Sequence, residues 1–253
     1  NIKNTFLNSS SALFEEPENL LKQEVREPSL YNAIISAIAT GASKLSEIST
    51  KVGENSSTCT AYLKNLISLG LVRRETPYGE KNSKKTIYTV EDNMFRFWYR
   101  FIPDNASLIV RGASDLAYQR IRPQLSDYMG KIFEDICTQY LWQLLLNGKS
   151  PVFFKELGRW WGTDPATHAQ TEIDIMGEQD KNTALFCECK WTNDLVDSGV
   201  LELFVHRSQL FHYNSTHLFL FSKNGFTSGC TEMAEKLGNV TLVSYSDIYD
   251  NCL

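Results

Sequence analysis

Apolar residues recur at helical spacing through Leu30–Ala39 and again through Thr58–Leu69, where Leu63, Leu66 and Ile67 fall on one face. Between them, Leu45 and Ile48 give a shorter amphipathic stretch that runs from a cap at Ser43 through Val52 and is broken by Gly53. Glu27-Pro28-Ser29 suits a helix start, because proline fits the first turn, and Gly41 ends that helix. Ser56 or Ser57 can cap the third helix, and Gly70 stops it. Upstream, Leu13, Phe14, Leu20 and Leu21 lie among acids, which predicts a lead-in helix or arm over residues 10–27. The period then shortens to two. Leu71–Thr76 and Thr86–Val90 read as short strands around a basic loop that contains Pro77-Tyr78-Gly79.

Three short helices closed by a β-hairpin predict a winged helix-turn-helix over residues 1–90, including the arm. Such a unit can place its third helix in a major groove and its wing on the backbone. Residues 91–104 carry five aromatics in seven positions, Phe95 to Phe101, with Arg96 and Arg100 four apart. These aromatics surround a helix instead of forming one stripe, which predicts a buried helix joining two domains. The alternative is a surface on which bases stack. With a connector over 105–124, this segment fills residues 91–124.

From residue 125 the pattern is that of an α/β domain. A long helix over Ser126–Leu146 is closed by Gly148. Three strands follow, at Val152–Trp161, Glu172–Met176 and Ala184–Trp191. Helix Leu195–Phe211, strand Leu218–Ser222, helix Cys230–Leu237 and strand Val240–Tyr245 complete the order αβββαβαβ, which predicts a mixed sheet with helices on both faces.

Charge separates the two halves. Residues 31–90 hold eight Lys/Arg and four Asp/Glu, whereas 131–253 hold nine and sixteen, so a basic segment precedes an acidic one within a chain of net charge −5. The acidic half suits cations and the basic part suits phosphate. No apolar run approaches the roughly 18 residues of a membrane span, and no secretory signal is visible. The six cysteines lack a framework spacing, which fits reduced thiols and a cytoplasmic protein. Cys187 and Cys189 read as strand cysteines and not as zinc ligands.

The candidate chemistry lies on two strands. In Thr171-Glu172-Ile173-Asp174-Ile175, alternation sends Glu172 and Asp174 to one face and Ile173 and Ile175 to the other. After a hairpin at Gly177–Asn182, the strand Ala184–Trp191 puts Glu188 and Lys190 on one face and Cys187 and Cys189 on the opposite one. Carboxylates on adjacent strands suit a hard cation such as Mg²⁺ or Mn²⁺, which takes oxygen ligands and keeps several waters. A neighbouring lysine would steer the attacking water or stabilise a pentavalent phosphate. The bland alternative is a salt bridge across the hairpin, for example Asp174 to Lys190.

Acid-x-acid, a hairpin and Glu-x-Lys resemble the PD-(D/E)xK nuclease superfamily, whose restriction-endonuclease-like fold has the same order of helix and strands. The resemblance implies that Asp174 is the principal metal ligand, Glu188 the second and Lys190 the catalytic lysine. Glu134, in Gly130-Lys131-Ile132-Phe133-Glu134, matches the helix-borne acid of many members, and Glu172 is an additional acid. A closer resemblance covers nearly the whole chain. The arm, the winged helix, Phe95–Phe101, Gly158-Arg159-Trp160-Trp161-Gly162 and Glu188-Cys189-Lys190-Trp191 look like the C-terminal region of archaeal-type ATPases. That family's N-terminal P-loop module is absent from this sequence. Gly79–Thr86 is only a basic loop with Lys84 where a P-loop needs its second glycine, so no nucleotide binding is expected.

These readings make DNA the expected partner. Lys64, Arg73, Arg74, Lys81, Lys84 and Lys85 are the candidate phosphate contacts, although the third helix carries only one lysine and no arginine. Trp160, Trp161 and Trp191 read as packing rather than a stacking wall. The four histidines share no ligand spacing, and His168 alone lies beside the acid strand. Two functions compete: a Mg²⁺-dependent DNA-cleaving module, and a non-catalytic nucleic-acid- or protein-binding regulator of the ATPase. A defence component whose cleavage waits on the ATPase is a third.

Overall fold

A computed structural model describes residues 1–25, 27–80 and 84–251, with the side chains of residues 250 and 251 left aside. The chain divides into two units: residues 1–76 with 84–124, and residues 77–80 with 125–251.

The first unit holds α1 (Ile2–Thr5), α2 (Ala12–Glu24), α3 (Pro28–Ala39), α4 (Leu45–Val52) and α5 (Ser56–Ser68). The hairpin β1 (Val72–Glu75) and β2 (Ile87–Val90) follows, antiparallel, with Val72 opposite Val90 and Glu75 opposite Ile87. Tyr31, Ile34, Ile35 and Ile38 of α3, Ile48 of α4, and Leu63 and Leu66 of α5 are buried, as the helical period requires. The stops at Gly53 and Gly70 adopt φ of 79° and 71°, a left-handed conformation that glycine reaches without cost. Two caps differ from expectation. Asn55, not a serine, caps α5 by accepting from Thr58 N at 2.8 Å. Lys44 occupies the cap position of α4, where Glu47 reaches back to the Ser43 and Lys44 amides at 2.9 and 3.1 Å.

The aromatic helix is α6 (Asn93–Phe101), capped by Asp92 through Phe95 N at 2.9 Å. Phe95, Phe97, Trp98, Tyr99 and Phe101 are all buried within this unit, and Trp98 Nε1 donates to Phe14 O at 2.7 Å. Their indole and phenol groups are thereby used in packing. The predicted connector is itself helical, forming α7 (Ala106–Val110) and α8 (Ser114–Ile121) between short 3-10 turns. Its arginines had masked the buried Ile109, Ala117 and Ile121.

The second unit is a mixed α/β structure. Helix α9 (Leu125–Leu146) precedes β3 (Gly158–Thr163), β4 (Gln170–Glu178) and β5 (Thr183–Lys190). Next come α10 (Ser198–Ser208), β6 (Ser215–Ser222), α11 (Ser228–Leu237), β7 (Val240–Ser244) and α12 (Tyr245–Asn251). The five-stranded sheet runs β3-β4-β5-β6-β7, antiparallel through β5 and parallel from β5 to β7. Leu185, Cys187, Phe219 and Phe221 pack with Phe133, Cys137, Tyr140 and Leu141 of α9. The alternate residues Ala184, Phe186, Leu218 and Leu220 pack with Leu201 and Phe204 of α10 and Cys230 and Ala234 of α11. Period two along β5 and β6 thus sends successive side chains into two separate layers, with helices on both faces.

The first strand of this unit is shorter than predicted. Val152 and Phe154 are buried, yet the chain joins the sheet only at Gly158. Residues 154–157 instead lie across Gly177, where a Cβ would stand 2.8 Å from Leu157 Cδ2 and 3.0 Å from Glu156 O. Among the described residues, no helix is long and apolar enough to cross a membrane.

Candidate functional site

The acid strand does not alternate as expected. Ile173 and Met176 join the layer under α10 and α11, whereas Ile175 joins the layer under α9. The register explains this. Gly158 pairs with Met176 and Trp160 with Ile173, so two steps on β3 span three on β4. That one extra residue is a β-bulge, a device that re-aims side chains and disrupts a ladder locally. Asp174 sits inside it.

The paired residues of β4 and β5 run from Glu178↔Ala184 to Ile175↔Cys187. Beyond that last pair, the Asp174 carboxylate takes the place of a backbone acceptor, with Cys189 N donating to Oδ2 at 2.8 Å. Asp174 is 9% exposed and Glu188 3%. Buried carboxylates require partners, and Glu188 has two on the same oxygen. Lys190 Nζ donates to Oε1 at 2.5 Å, and Arg207 Nη1 of α10 donates to Oε1 at 3.0 Å. The other oxygen, Oε2, is shielded from water and has no hydrogen-bond partner. Cys187 and Cys189 lie toward α9, away from this pair of cations.

The electrostatics follow from burial. Burial pushes the Glu188 carboxyl up, and the charge of Asp174 adds to it against the pull of Lys190 and Arg207. For Lys190 burial works the other way, but Glu188 outweighs it through charge and hydrogen bond, so its ammonium is held above the usual range. Lys190 therefore remains a cation at neutral pH.

Glu134 on α9 faces Lys131, whose Nζ lies 2.7 Å from Oε2, and Arg159 Nε stands 3.9 Å from the same oxygen. Burial pushes Glu134 up to about 7, with Lys131 opposing and Asp174 reinforcing the shift. Glu134 and Asp174 thus sense each other. Glu172 is exposed and bound by Arg159 Nη2 at 2.6 Å, on the rim of this group. Since the folded pKa of Glu134 exceeds its ordinary 4.5, its contribution to stability is present below pH 4.5 and is lost as pH rises through about 7. Glu134→Gln is therefore expected to match the wild type at pH 4 and to exceed it by about 1–3 kcal/mol at pH 8. Urea unfolding across that range measures the difference.

The remaining residues fall elsewhere. Among the described residues, no three His, Cys, Asp or Glu side chains form a group that could hold a metal ion. Lys64, Arg74, Lys84 and Lys85 are exposed. Arg73, by contrast, is engaged by Glu75 at 2.6 Å and Glu91 at 3.5 Å. Lys81 lies outside the described residues. Tyr78, after β1, is part of the second unit: its N–H donates to Arg159 O at 2.8 Å, and its hydroxyl accepts from Glu178 N at 3.1 Å. Trp160 packs on Phe211 at 4.8 Å, and Trp191 packs on Phe133 at 5.1 Å and Tyr245 at 5.7 Å, in keeping with the packing role. His168 occupies a left-handed φ of 55° in the turn before β4. It is His206 that finds a carboxylate, with Nε2 at 3.1 Å from Asp164 Oδ2. That bond and the Ala166 amide hold Asp164 down to about 2.

Sequence reasoning missed Arg207 and Arg159. Arg207 belongs to no motif, and Arg159 entered only as part of Gly158-Arg159-Trp160-Trp161-Gly162, with no role at the site. The available signal for Arg207 was a lone arginine in the last turn of the helix after the Glu-x-Lys strand.

The chain is 37% identical over 196 residues to an uncharacterized protein of Methanocaldococcus jannaschii, a match that covers 77% of this chain. It spans 43% of that relative's own length. Among solved structures, a crystal structure of NadR in complex with 4-hydroxyphenylacetate aligns with a TM-score of 0.26 at 17% identity, over 51% of this chain and 83% of the other. Residues 98–201, a stretch that includes Glu134, Asp174, Glu188 and Lys190, match the DUF234 family, described as archaeal and bacterial proteins of unknown function.

Proposed function

We propose that the second unit is a PD-(D/E)xK-type, Mg²⁺-dependent nuclease module that acts on DNA, and that α3–α5 with β1–β2 form a winged helix that engages the duplex. The observation that carries this reading is Glu188. Its carboxylate is buried beside Asp174, with one oxygen held by Lys190 and the other unpartnered. A buried acceptor without a donor is costly, and a hard cation is the partner that oxygen chemistry supplies best. Asp174 and Glu188 would hold the ion; Glu134 on α9 and Glu172 at the rim are the further acids, held here by Lys131 and Arg159. The bound ion would supply an activated water and a counter-charge to the phosphate. Lys190, kept charged, contributes a second positive group where negative charge builds up. Lys64, Arg74, Lys84 and Lys85 are the residues that would meet the backbone; Arg73 is committed to acids, and Lys81 is proposed on sequence alone.

The archaeal-type ATPase context remains part of the proposal, since the relative is more than twice the length matched here. One observation favours the non-catalytic reading, in which the unit only binds nucleic acid or protein for that ATPase: no third acid closes a cage around Asp174 and Glu188 among the described residues. Incubation of supercoiled plasmid and of single-stranded DNA with the protein, in Mg²⁺ and in EDTA, separates the two. The nuclease reading expects nicking or linearisation in Mg²⁺ alone. Intact DNA in both, from protein that binds Mg²⁺, would move the assignment to the regulatory module.

A further inference from the structure

Arg207 belongs to none of the expected motif positions, yet it makes one of the two polar contacts to the side chain of the most buried acid of the site. Its side chain is 22% exposed and Glu188's 4%, so this is no loose surface pair. Arg207 is carried by the last turn of α10, a helix anchored in the sheet by Leu201 and Phe204. It stacks a second cation on Oε1, already taken by Lys190, and leaves Oε2 bare. The local charge is balanced: Asp174 and Glu188 against Lys190 and Arg207. A divalent ion joining the same carboxylates adds two positive charges to a neutral set, and repulsion then falls on the cation least tied to the strands.

We infer that Arg207 is a positioning residue that competes with the metal ion for Glu188, holding the carboxylate in place until the ion displaces its guanidinium toward the substrate phosphate. The inference rests on the reading of Asp174 and Glu188 as metal ligands. Lys190 sits two residues from Glu188 on the same strand and moves with it. Arg207 comes from another element and can part from it without disturbing the sheet. A bidentate-capable guanidinium also matches a phosphate better than a single carboxylate oxygen.

Calorimetric titration of Mn²⁺ into the full chain tests this, comparing wild type with Arg207→Gln and Arg207→Lys. Arg207→Gln is expected to bind Mn²⁺ about tenfold more tightly, the scale of one charge-assisted hydrogen bond removed from competition. Arg207→Lys, which keeps the charge on a shorter reach, is expected to fall between the two, and it serves alone should the glutamine variant not fold. Equal or weaker Mn²⁺ binding by the variants, with the wild type binding normally, would mean that Arg207 only braces Glu188, and would overturn the inference while leaving the site intact. Absence of binding in all three would overturn the metal reading and this inference together.

Discussion

On the proposed nuclease reading, replacing Lys190 with alanine is expected to lower Mg²⁺-dependent DNA cleavage by about 10²–10³-fold while leaving metal binding in place. The separation follows from the geometry. Lys190 donates to Glu188 Oε1 and supplies no ligand oxygen of its own, so its loss removes a charge from the site without removing a donor to the ion. Because Glu188 holds the ammonium above its usual range, raising the pH from 7 to 9 should not switch the lysine off. Single-turnover cleavage at saturating metal, paired with an Mn²⁺ titration, checks both halves. Loss of Mn²⁺ binding in the variant would show that the ammonium organises the carboxylates and does not act on the phosphate. Lys190→Arg keeps the charge but spreads it over a larger group, and is expected to recover only part of the rate.

The second large effect is on stability. Phe186 lies on β5, fully buried, between Glu188's strand neighbours and the layer under α10. Its ring meets Phe211 at 5.1 Å and Tyr213 at 5.9 Å. Phe186→Ala deletes that ring from the layer between the sheet and α10, where Leu201, Phe204 and Leu218 are themselves buried and hold the space open. A loss of about 3–5 kcal/mol is expected. Equilibrium unfolding in urea, followed by tryptophan fluorescence, measures it. A loss below about 1.5 kcal/mol would mean that the layer repacks, in the range of volume-conserving swaps. Because β5 carries Glu188 and Lys190, the proposed cleavage would also fall in this variant at temperatures where it remains folded.

Much of the fold was legible because period and punctuation agree. The helices α3 and α5 are marked by apolar residues three and four apart, with Pro28 at one start and Gly70 at one end. The order of helices and strands after residue 125 reads off the same two periods. What escaped has physical causes. Val152 and Phe154 look like strand residues because they are buried, but burial is not pairing, and they pack over Gly177 without a ladder. Residues 105–124 looked like a connector because exposed arginines hid the helical spacing of Ile109, Ala117 and Ile121.

At the site, Glu188 and Lys190 were legible as strand neighbours of one parity, and they meet at 2.5 Å. The bulge at Asp174 was not. An extra residue in one strand leaves no mark on the sequence of that strand alone; it exists only in the register with β3. Arg207 and Arg159 were hidden for a related reason. Their partners lie 19 and 13 residues away in the chain, and which helix face or strand edge they occupy is set by tertiary packing.

The central claim is that Asp174 and Glu188 form a cation site, and calorimetric titration of Mn²⁺ into wild type and Asp174→Ala tests it most directly. Asp174 is the acid whose charge raises both Glu134 and Glu188, so it stands nearest the electrostatic centre of the group. The account predicts a saturable, one-site binding heat in the wild type and its disappearance in the variant. A wild type that takes up no Mn²⁺, or a variant that binds it unchanged, would contradict the account.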